Sequence, residues 1–180
     1  MSRRGLLRSH LKKAWRKTIC EQYNTRLINS EHGLQVYLCA ELLRLFKANK
    51  KINRRIFVEP GVTSSDGKCR RPDIVICSSR SIIGVVELKY VPRARPAWKK
   101  DIETLTFFAS NPDTLQIAND RYRGLDIRNP SFRLAPDAVL CWGGVYTGSP
   151  LDLRDVSIRD RFLQLNALTA DGSKPVISTH

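Results

Sequence analysis

Hydrophobic positions recur at helical spacing in the first quarter of the chain and predict two consecutive helices. The apolar residues of the first helix lie four apart, at Leu7, Leu11, Trp15 and Ile19. Those of the second lie three or four apart, at Leu34, Leu38, Leu42 and Leu45. Such spacing places these side chains on one face of each helix. Asn29, Ser30 and Glu31 supply a cap and a first-turn acid, so the second helix is predicted to begin there, with Glu31 on its buried stripe.

Apolar runs bounded by turn residues predict the strands. Four such runs occur, at 55–60, 72–77, 82–90 and 137–142. A helix is predicted over 97–110, because Ile102, Leu105 and Ala109 share one face. Residues 111–136 carry a weak pattern that predicts loops with short elements, and 152–168 predict a final helix. From the second helix onward, the order α-β-β-β-α-β-α predicts a mixed α/β domain, with the whole chain as one domain.

The charge balance indicates a polyanionic partner. Lysine and arginine number 31 against 17 acidic residues, a net charge of +14. This favours nucleic acid or an anionic surface as the partner. The first helix is basic and lacks acidic residues, so it could dock on the domain, contact phosphates or pair with another subunit. Its composition also resembles a mitochondrial presequence, although the pattern continues into the next helix without a cleavage-like break.

Neither membrane insertion nor export is expected. No apolar run approaches the roughly 20 residues of a membrane helix, and no secretory signal is evident. The five cysteines form no CxxC pair and are odd in number: Cys20, Cys39, Cys69, Cys77 and Cys141. These features predict reduced thiols and a cytoplasmic protein.

Two acidic residues and a lysine lie at the edge of the most apolar part of the chain. If residues 72–90 form a hairpin centred near Arg80, Asp73 faces Glu87, Val75 faces Val85 and Cys77 faces Ile83. Lys89 lies two positions beyond Glu87 and points to the same side of the sheet.

Facing carboxylates repel each other unless a cation lies between them. Hard oxygen ligands suit Mg²⁺, with Mn²⁺ as a substitute, and such an ion assists phosphodiester hydrolysis. A lysine beside it could orient water and offset charge on the phosphate. Alternatively, Asp73 simply begins a strand, while Glu87 and Lys89 form a surface pair.

The motif resembles the signature of the PD-(D/E)xK nuclease superfamily, which includes many restriction endonucleases and archaeal Holliday-junction resolvases. PD occupies 72–73 and ELK occupies 87–89, with thirteen residues between the two acids. The family core is α-β-β-β-α-β around a mixed sheet, the order predicted above. The resemblance covers about 28–145, so that 1–27 would add a basic N-terminal helix and 151–170 a C-terminal helix.

The resemblance implies a metal-dependent nuclease, usually acting on DNA. Asp73 and Glu87 would hold the metal, with the carbonyl of Leu88 as a further ligand. Lys89 would be the catalytic lysine. Glu31, on the first helix of the core, would be an auxiliary ligand or would support the site.

Basic residues around these strands are candidates for phosphate contacts. Arg70 and Arg71 precede the first motif strand, and Arg93 and Arg95 follow the second. Lys99 and Lys100 lie in the first turn of the next helix, whose N-terminus favours anions.

Other polar and aromatic residues near the motif have structural readings as well as functional ones. Asp101 could pair with Lys89 and hold it in place. Glu59 is expected to have a structural role, and packing is favoured over base stacking for Tyr122, Trp142 and Tyr146.

The main expectation is thus a Mg²⁺-dependent endonuclease that acts on DNA, with DNA favoured over RNA. It could act as a homodimer or within a larger nucleoprotein complex. A non-catalytic nucleic-acid-binding module on the same fold is the first alternative. An RNA-binding structural protein with an unrelated α/β fold is the second, and a lack of divalent-metal binding would favour it.

Overall fold

The computed structural model describes residues 3–49, 53–64, 66–111, 115–118, 131–153, 158 and 160–180. The helices are α1 (Arg3–Lys17), α2 (Glu31–Ala48) and α3 (Lys99–Ser110), and a π-helical segment, Thr18–Tyr23, continues α1. The strands are β1 (Arg55–Val58), β2 (Val62–Thr63), β3 (Cys69–Arg70), β4 (Ile74–Cys77), β5 (Ser81–Val91), β6 (Gln116–Ala118), β7 (Ser131–Thr147), β8 (Phe162–Thr169) and β9 (Val176–Thr179). The chain is therefore α/β, and its central sheet is mixed.

Six strands form the central sheet in the order β1-β4-β5-β7-β8-β9. The inner strands β5, β7 and β8 are parallel, whereas β1, β4 and β9 join by antiparallel pairing. The short strands β6, β2 and β3 extend from the beginning of β7, because β6 pairs with Ser131–Arg133 while β8 pairs from Leu140 onward. The predicted order α-β-β-β-α-β is found in α2, β1, β4, β5, α3 and β7.

The sheet is buried on both faces. Ile74 and Ile76 of β4 pack with α1 and α2, while Val75 and Cys77 pack with α3. All four residues are fully buried. Burial on both faces explains why this strand reads as a continuous apolar run instead of an alternating one.

The basic N-terminal helix is part of this core. Leu7, Leu11 and Trp15 are at most 1% exposed and belong to the same apolar cluster as α2. The indole Nε1 of Trp15 donates a hydrogen bond to the carbonyl of Asn166 in β8, at 3.3 Å. Of the three expected roles for this helix, docking on the domain is thus confirmed.

The second helix begins where the sequence predicts. The hydroxyl of Ser30 accepts a hydrogen bond from the backbone N–H of Gly33 at 3.0 Å, and Glu31 is the first helical residue. A side-chain acceptor at this position satisfies one of the N–H groups that a helix leaves unpaired. This cap fixes the rotation of α2 and therefore the direction in which Glu31 points.

The predicted C-terminal helix over 152–168, within 151–170, is wrong. Residues 162–169 form strand β8, which lies between β7 and β9. The segment from Leu163 to Ala167 alternates apolar and polar residues, and this period of two indicates a strand. Gln164 and Asn166 are buried because their amide groups hydrogen-bond to each other and to neighbouring groups.

The strand predicted over 137–142 is longer in the structure. It begins at Ser131 and continues through both glycines to Thr147, since β5 and β8 hold its two edges near the glycines. The region 111–136, predicted to hold loops with short elements, contains the three-residue strand β6 and the beginning of β7. Residues 112–114 and 119–130 of that region lie outside the described residues.

The β4–β5 hairpin has the predicted register near the motif and loses it near the turn. Val75 faces Val85, as expected. An irregularity between Ile76 and Cys77 then shifts the pairing, so that Cys77 faces Ile82 and not Ile83. The shift lies on the turn side of the matched pairs, so the register at the motif end is unaffected.

The cysteines agree with their prediction. All five are free thiols, and Cys39, Cys77 and Cys141 are buried. Among the described residues, the structure contains no helix with the length and apolar character that crossing a membrane requires.

Candidate active site

The candidate site lies where β5 runs on past the beginning of β4. The last β4–β5 pair joins Ile74 to Val86, so the following N–H groups of β5 have no partner in β4. Two carboxylates replace that partner. Asp73 Oδ2 accepts a hydrogen bond from the backbone N–H of Leu88 at 2.5 Å, and Glu31 Oε2 accepts one from that of Tyr90 at 3.1 Å.

The carboxyl groups of Asp73 and Glu87 lie close together at this edge. Glu87 is 7% exposed, and burial, followed by the nearby Asp73 and Asp101 carboxylates, raises its pKa to about 9. Burial also raises the pKa of Asp73 to about 6, although the N–H of Leu88 acts in the opposite direction. Both carboxyl groups therefore hold their protons to a higher pH than free acids do.

The backbone of Asp73 is fixed from two sides. Its carbonyl accepts hydrogen bonds from the N–H of Glu59 at 2.9 Å and from Nε2 of Gln35 at 2.8 Å. Glu59 has a φ of 45°, a left-handed conformation that is unusual for a residue other than glycine. The backbone of Glu59 thus has a structural part, while its side chain lines a recess of about 40 Å³ beside Asp73.

Gln35 was missed by sequence reasoning. It is 3% exposed and lies one turn after Glu31 on α2. A polar residue inside the buried stripe of a helix, four positions after a candidate site residue, was the available signal. Its amide connects α2 to the strand that carries the carboxyl pair.

Lys89 lies between two acids from opposite faces of the sheet. Its Nζ is 3.6 Å from Glu31 Oε2, on α2, and 3.5 Å from Asp101 Oδ1, on α3. Burial lowers the pKa of Lys89, but Asp101, Glu31 and Asp73 outweigh that effect, and the net shift is upward. The lysine is therefore a fixed positive charge.

Asp101 is held by a buried tryptophan. It is 7% exposed, and its Oδ2 accepts a hydrogen bond from Nε1 of Trp142 at 3.1 Å. Burial raises the pKa of Asp101, and the Trp142 hydrogen bond and Lys89 partly offset this increase. A Cβ at Gly144 would overlap the indole of Trp142, so glycine at this position gives the ring its space. The expected pairing of Asp101 with Lys89 is thus confirmed.

Packing is also confirmed for two of the three aromatic residues singled out in the sequence. Trp142 and Tyr146 are fully buried and therefore not open to base stacking. The Tyr146 hydroxyl donates to Asn166 Oδ1 at 2.9 Å and accepts from the N–H of Leu151 at 3.1 Å. Tyr122 lies outside the described residues.

Glu31 is more exposed than predicted. Its side chain is 43% exposed, although its carboxylate pairs with Lys89 and accepts the N–H of Tyr90. The hydroxyl of Tyr90 donates to the carbonyl of Ile28 at 2.9 Å and so fastens the segment that leads into α2. Glu31 therefore reaches the site from its solvent side.

The six basic residues predicted to contact phosphate lie at or near the surface: Arg70, Arg71, Arg93, Arg95, Lys99 and Lys100. Arg70 lies over the ring of Phe107 in α3, 4.9 Å from its centre. Arg95 Nη1 donates to the hydroxyl of Ser149 at 3.2 Å. Lys99 and Lys100 precede Asp101 in the first turn of α3. Their role in binding remains a prediction.

The carboxyl pair is the part of the site that fits a metal ion best. In the part of the chain that the structure describes, no group of three or more His, Cys, Asp or Glu residues is arranged to hold one. Mg²⁺, however, commonly takes one or two carboxylates and keeps its waters. Asp73 and Glu87 supply such a donor set, whereas Glu31 contacts Lys89 and Tyr90. The Leu88 carbonyl remains a predicted ligand.

Comparisons with known proteins do not identify the chain. No family model, no curated protein and no solved structure matches it. Any function therefore has to be argued from the site itself.

Proposed function

We propose that the protein is a Mg²⁺-dependent nuclease with a restriction-endonuclease-like core, and that it hydrolyses phosphodiester bonds, preferably in DNA. One observation carries the proposal. The buried carboxyl group of Glu87 and the half-buried one of Asp73 lie close together, beside a lysine that pairs with two further acids. The hairpin register read from the sequence brings the same three residues together.

The carboxyl pair has no evident role in stability. Two acids that lie close together repel each other when both ionise, and burial increases the free-energy cost of each charge. Apolar residues fill the rest of this hairpin without such a penalty. A bound cation would remove the conflict, which supports a metal-binding role for Asp73 and Glu87.

Each residue of the cluster has a separate task in this proposal. Asp73 and Glu87, with the carbonyl of Leu88, would hold Mg²⁺ or Mn²⁺. When bound, the ion supplies charge stabilisation and activation of water. Lys89 remains protonated, so it acts by its charge on a phosphate oxygen and not as a base. Glu31 holds Lys89 from the solvent side and could serve as an auxiliary ligand.

Charge supports a nucleic acid as the substrate. The net charge of +14 favours a polyanion, and the arginines and lysines near the cluster offer phosphate contacts. Such contacts do not distinguish sequences. We therefore infer recognition of backbone or shape, with a second copy or a larger complex as the source of any specificity.

The test is cleavage of supercoiled plasmid and of a branched DNA, with Mg²⁺, with Mn²⁺ or with EDTA. Wild type is compared with Asp73→Asn and Lys89→Ala. Lys47→Ala is the matched control, because Lys47 is an exposed lysine at the opposite end of α2 from Glu31. We expect metal-dependent cutting that both site variants lose and the control keeps.

A non-catalytic nucleic-acid-binding module is the second candidate. It is favoured by the absence, among the described residues, of a three-ligand metal group. Wild type that binds both DNAs but cuts neither with either metal would refute the nuclease proposal and support this module. Cleavage that persists in Asp73→Asn would instead place the active site elsewhere.

A further inference from the structure

A second polar pocket lies at the other end of β5. Its volume is about 610 Å³, within the range of small-molecule sites. The pocket is bounded by the beginning of α1, the residues before β1 and the β4–β5 turn. Ser81 lines the pocket, and Lys89 lies eight positions further along β5. At about 3.3 Å per residue, the two are roughly 26 Å apart. The pocket is thus distinct from the carboxyl cluster.

Three arginines line this pocket without an acidic partner. Arg4, Arg54 and Arg80 form no ion pair with any described residue. Asp137 is the one acid among the lining residues, and no ion pair joins it to these arginines. Within the described part of the chain, the pocket therefore has an excess of two positive charges.

The guanidinium of Arg54 is held in place by two neighbouring side chains. Its Nη1 donates to Nδ1 of His10 at 3.0 Å, and its guanidinium lies over the ring of Phe46, 5.0 Å from the centre. Arginine has no acceptor, so His10 must be neutral at Nδ1. A guanidinium fixed on two sides loses little conformational freedom on binding an anion.

The turn positions the third arginine. The hydroxyl of Ser78 accepts hydrogen bonds from the N–H of Arg80 at 3.2 Å and from that of Ser81 at 3.0 Å. This side-chain cap closes the turn. The Arg80 side chain is exposed and lines the pocket.

We propose that this pocket binds a phosphomonoester of nucleotide size. A phosphomonoester carries up to two negative charges at neutral pH and presents several acceptor oxygens. Arginines bind such groups through paired, charge-assisted hydrogen bonds. The apolar side chains of Leu6, Ile83 and Ala135 line the same pocket and offer a surface for a base or sugar. The ligand is either a free nucleotide or the phosphorylated end of a nucleic acid.

The binding test uses the full chain in EDTA, so that cleavage does not interfere. Calorimetric titration compares adenosine 5′-monophosphate, adenosine and inorganic phosphate as probes. We expect the nucleotide to bind at least about tenfold more tightly than either of the other two. Arg80→Ala should weaken nucleotide binding by about tenfold or more, which corresponds to one charge-assisted contact.

Two control variants and a folding check test whether a loss of binding in Arg80→Ala is specific to the pocket. Arg16→Ala removes the same charge from an exposed position of α1 outside the pocket, and binding should stay within about twofold of wild type. Arg80 is exposed and contributes only its backbone to the turn, so its variant should fold, as circular dichroism can confirm. Lys89→Ala should also bind normally, which separates this proposal from the nuclease.

A pair of oligonucleotides, with and without a 5′-phosphate, distinguishes the two sources of the ligand. Tighter binding of the phosphorylated than of the unphosphorylated oligonucleotide, lost in Arg80→Ala, would assign the pocket to nucleic-acid ends. Equal binding of the two oligonucleotides, with the nucleotide still bound, would assign it to free nucleotides. Equal binding of adenosine and its monophosphate would overturn the proposal. Arg80→Ala that binds as tightly as wild type would overturn it as well.

Discussion

At the scale of single residues, the raised pKa values of Asp73 and Glu87 make the stability of the metal-free protein depend on pH. Folding raises the pKa of Glu87 from 4.5 to about 9 and that of Asp73 from 3.8 to about 6. At these two positions the folded protein therefore binds protons that the unfolded chain releases. The contribution of this pair to stability falls as the pH rises from about 4 towards 9, and it is largest on the acidic side of that window.

Glu87→Gln should stabilise the metal-free protein at pH 8. The substitution keeps the shape of the side chain and removes the charge that burial opposes. We expect the free energy of unfolding to rise by about 1–3 kcal/mol at pH 8 and by less at pH 5. Urea denaturation in EDTA at the two pH values measures this difference.

Glu103→Gln is the matched control, because Glu103 is an exposed glutamate on α3. It should leave the pH dependence unchanged. Magnesium should stabilise wild type but not Glu87→Gln. If Glu87→Gln is less stable than wild type at pH 8 in EDTA, the Asp73–Glu87 pair does not destabilise the metal-free protein, and the prediction is wrong.

Asp101→Asn should slow cleavage without weakening DNA binding. The amide that replaces the carboxylate could still accept a hydrogen bond from Trp142, but the positive charge of Lys89 would lose a partner 3.5 Å away. Because Asp101 raises the pKa of Lys89, the variant should lose activity at a lower alkaline pH than wild type. We expect a rate about 10–100-fold lower, with an altered pH–rate profile.

Asp171→Asn removes the same charge from an exposed position and should keep the wild-type rate and profile. Cleavage rates measured across pH, together with DNA affinity in EDTA, distinguish a role of Asp101 in setting the charge state of Lys89 from a role in the stability of the fold. A rate that falls at every pH by the same factor would mean that Asp101 supports the fold instead of the charge state of Lys89.

Sequence reasoning located Asp73, Glu87 and Lys89 because hairpin register depends on local rules. Side chains alternate along a strand, and the turn fixes which residues face each other. The irregularity at Cys77 could not be predicted, yet it lies beyond the matched pairs. Gln35 was missed because its partner is a backbone carbonyl 38 residues away, a contact that no spacing rule reveals.

At the scale of elements, α1 illustrates how far a pattern can be trusted. Its spacing predicted an amphipathic helix, and the structure buries that face against α2, β7 and β8. The sequence left three roles open for this helix: docking on the domain, contacting phosphates or pairing with another subunit. It could not decide among them, because the strands that cover the apolar face come from the distant half of the chain. The helix is part of the core, even though its sequence is strongly basic.

Trp15→Ala should therefore destabilise the whole protein and not just the helix. The side chain is fully buried, and its indole binds the carbonyl of Asn166. We expect a loss of about 3–5 kcal/mol in the free energy of unfolding, the usual range for a large aromatic side chain removed from a core. Guanidinium denaturation followed by circular dichroism measures it.

Arg16→Ala is the neighbouring control. Arg16 is exposed, so this change should alter the free energy of unfolding by less than about 0.5 kcal/mol. A loss of helical signal at low denaturant, with the sheet still folded, would instead make α1 an appendage that melts independently.

The final helix predicted over 152–168 was wrong for a clear reason. Residues 152–168 contain enough apolar residues to satisfy a helical template, but Leu163 to Ala167 alternate with a period of two. Gln164 and Asn166 lie two positions apart, which puts them on one face of a strand but not on one face of a helix. In the sheet they are buried and satisfied by Leu151, Tyr146 and Ser178, partners that only the tertiary structure supplies.

At the scale of the whole molecule, charge should dominate binding to nucleic acid. Each neutralised phosphate releases counterions, so affinity falls with salt in proportion to the number of contacts. The double variant Arg93→Ala/Arg95→Ala should weaken DNA binding and make the slope of log K against log salt less steep by about 1–2. Fluorescence anisotropy in EDTA at several salt concentrations gives the slope.

Lys13→Ala/Lys47→Ala is the matched control, with the same loss of charge from two exposed lysines. Lys13 lies on α1 near His10, and Lys47 lies in the last turn of α2 next to Phe46. His10 and Phe46 are in ring contact, so both lysines lie away from the carboxyl cluster. Equal slopes for the two double variants would mean that DNA responds to net charge and not to the surface beside the site.

Topology was predictable only in outline. The order of helices and strands came from periodicity, and a mixed sheet followed from that order. The extension through β6, β2 and β3 was not foreseen, since β2 and β3 are two residues long and leave no pattern. The antiparallel β9 at the other edge was also absent from the prediction, because the assumed final helix replaced β8, the strand with which β9 pairs.

The hydrogen bond from Trp15 to Asn166 has a consequence for how the protein is made. It joins residues 151 positions apart, and β8 forms part of the surface that covers α1. A ribosome adds roughly 5–20 residues per second, so the apolar face of α1 leaves the exit tunnel many seconds before β8 exists to cover it. Helix α1 thus reaches its final contacts only after β8 has been synthesised. During translation it is a basic, amphipathic segment whose apolar face stays partly uncovered until then.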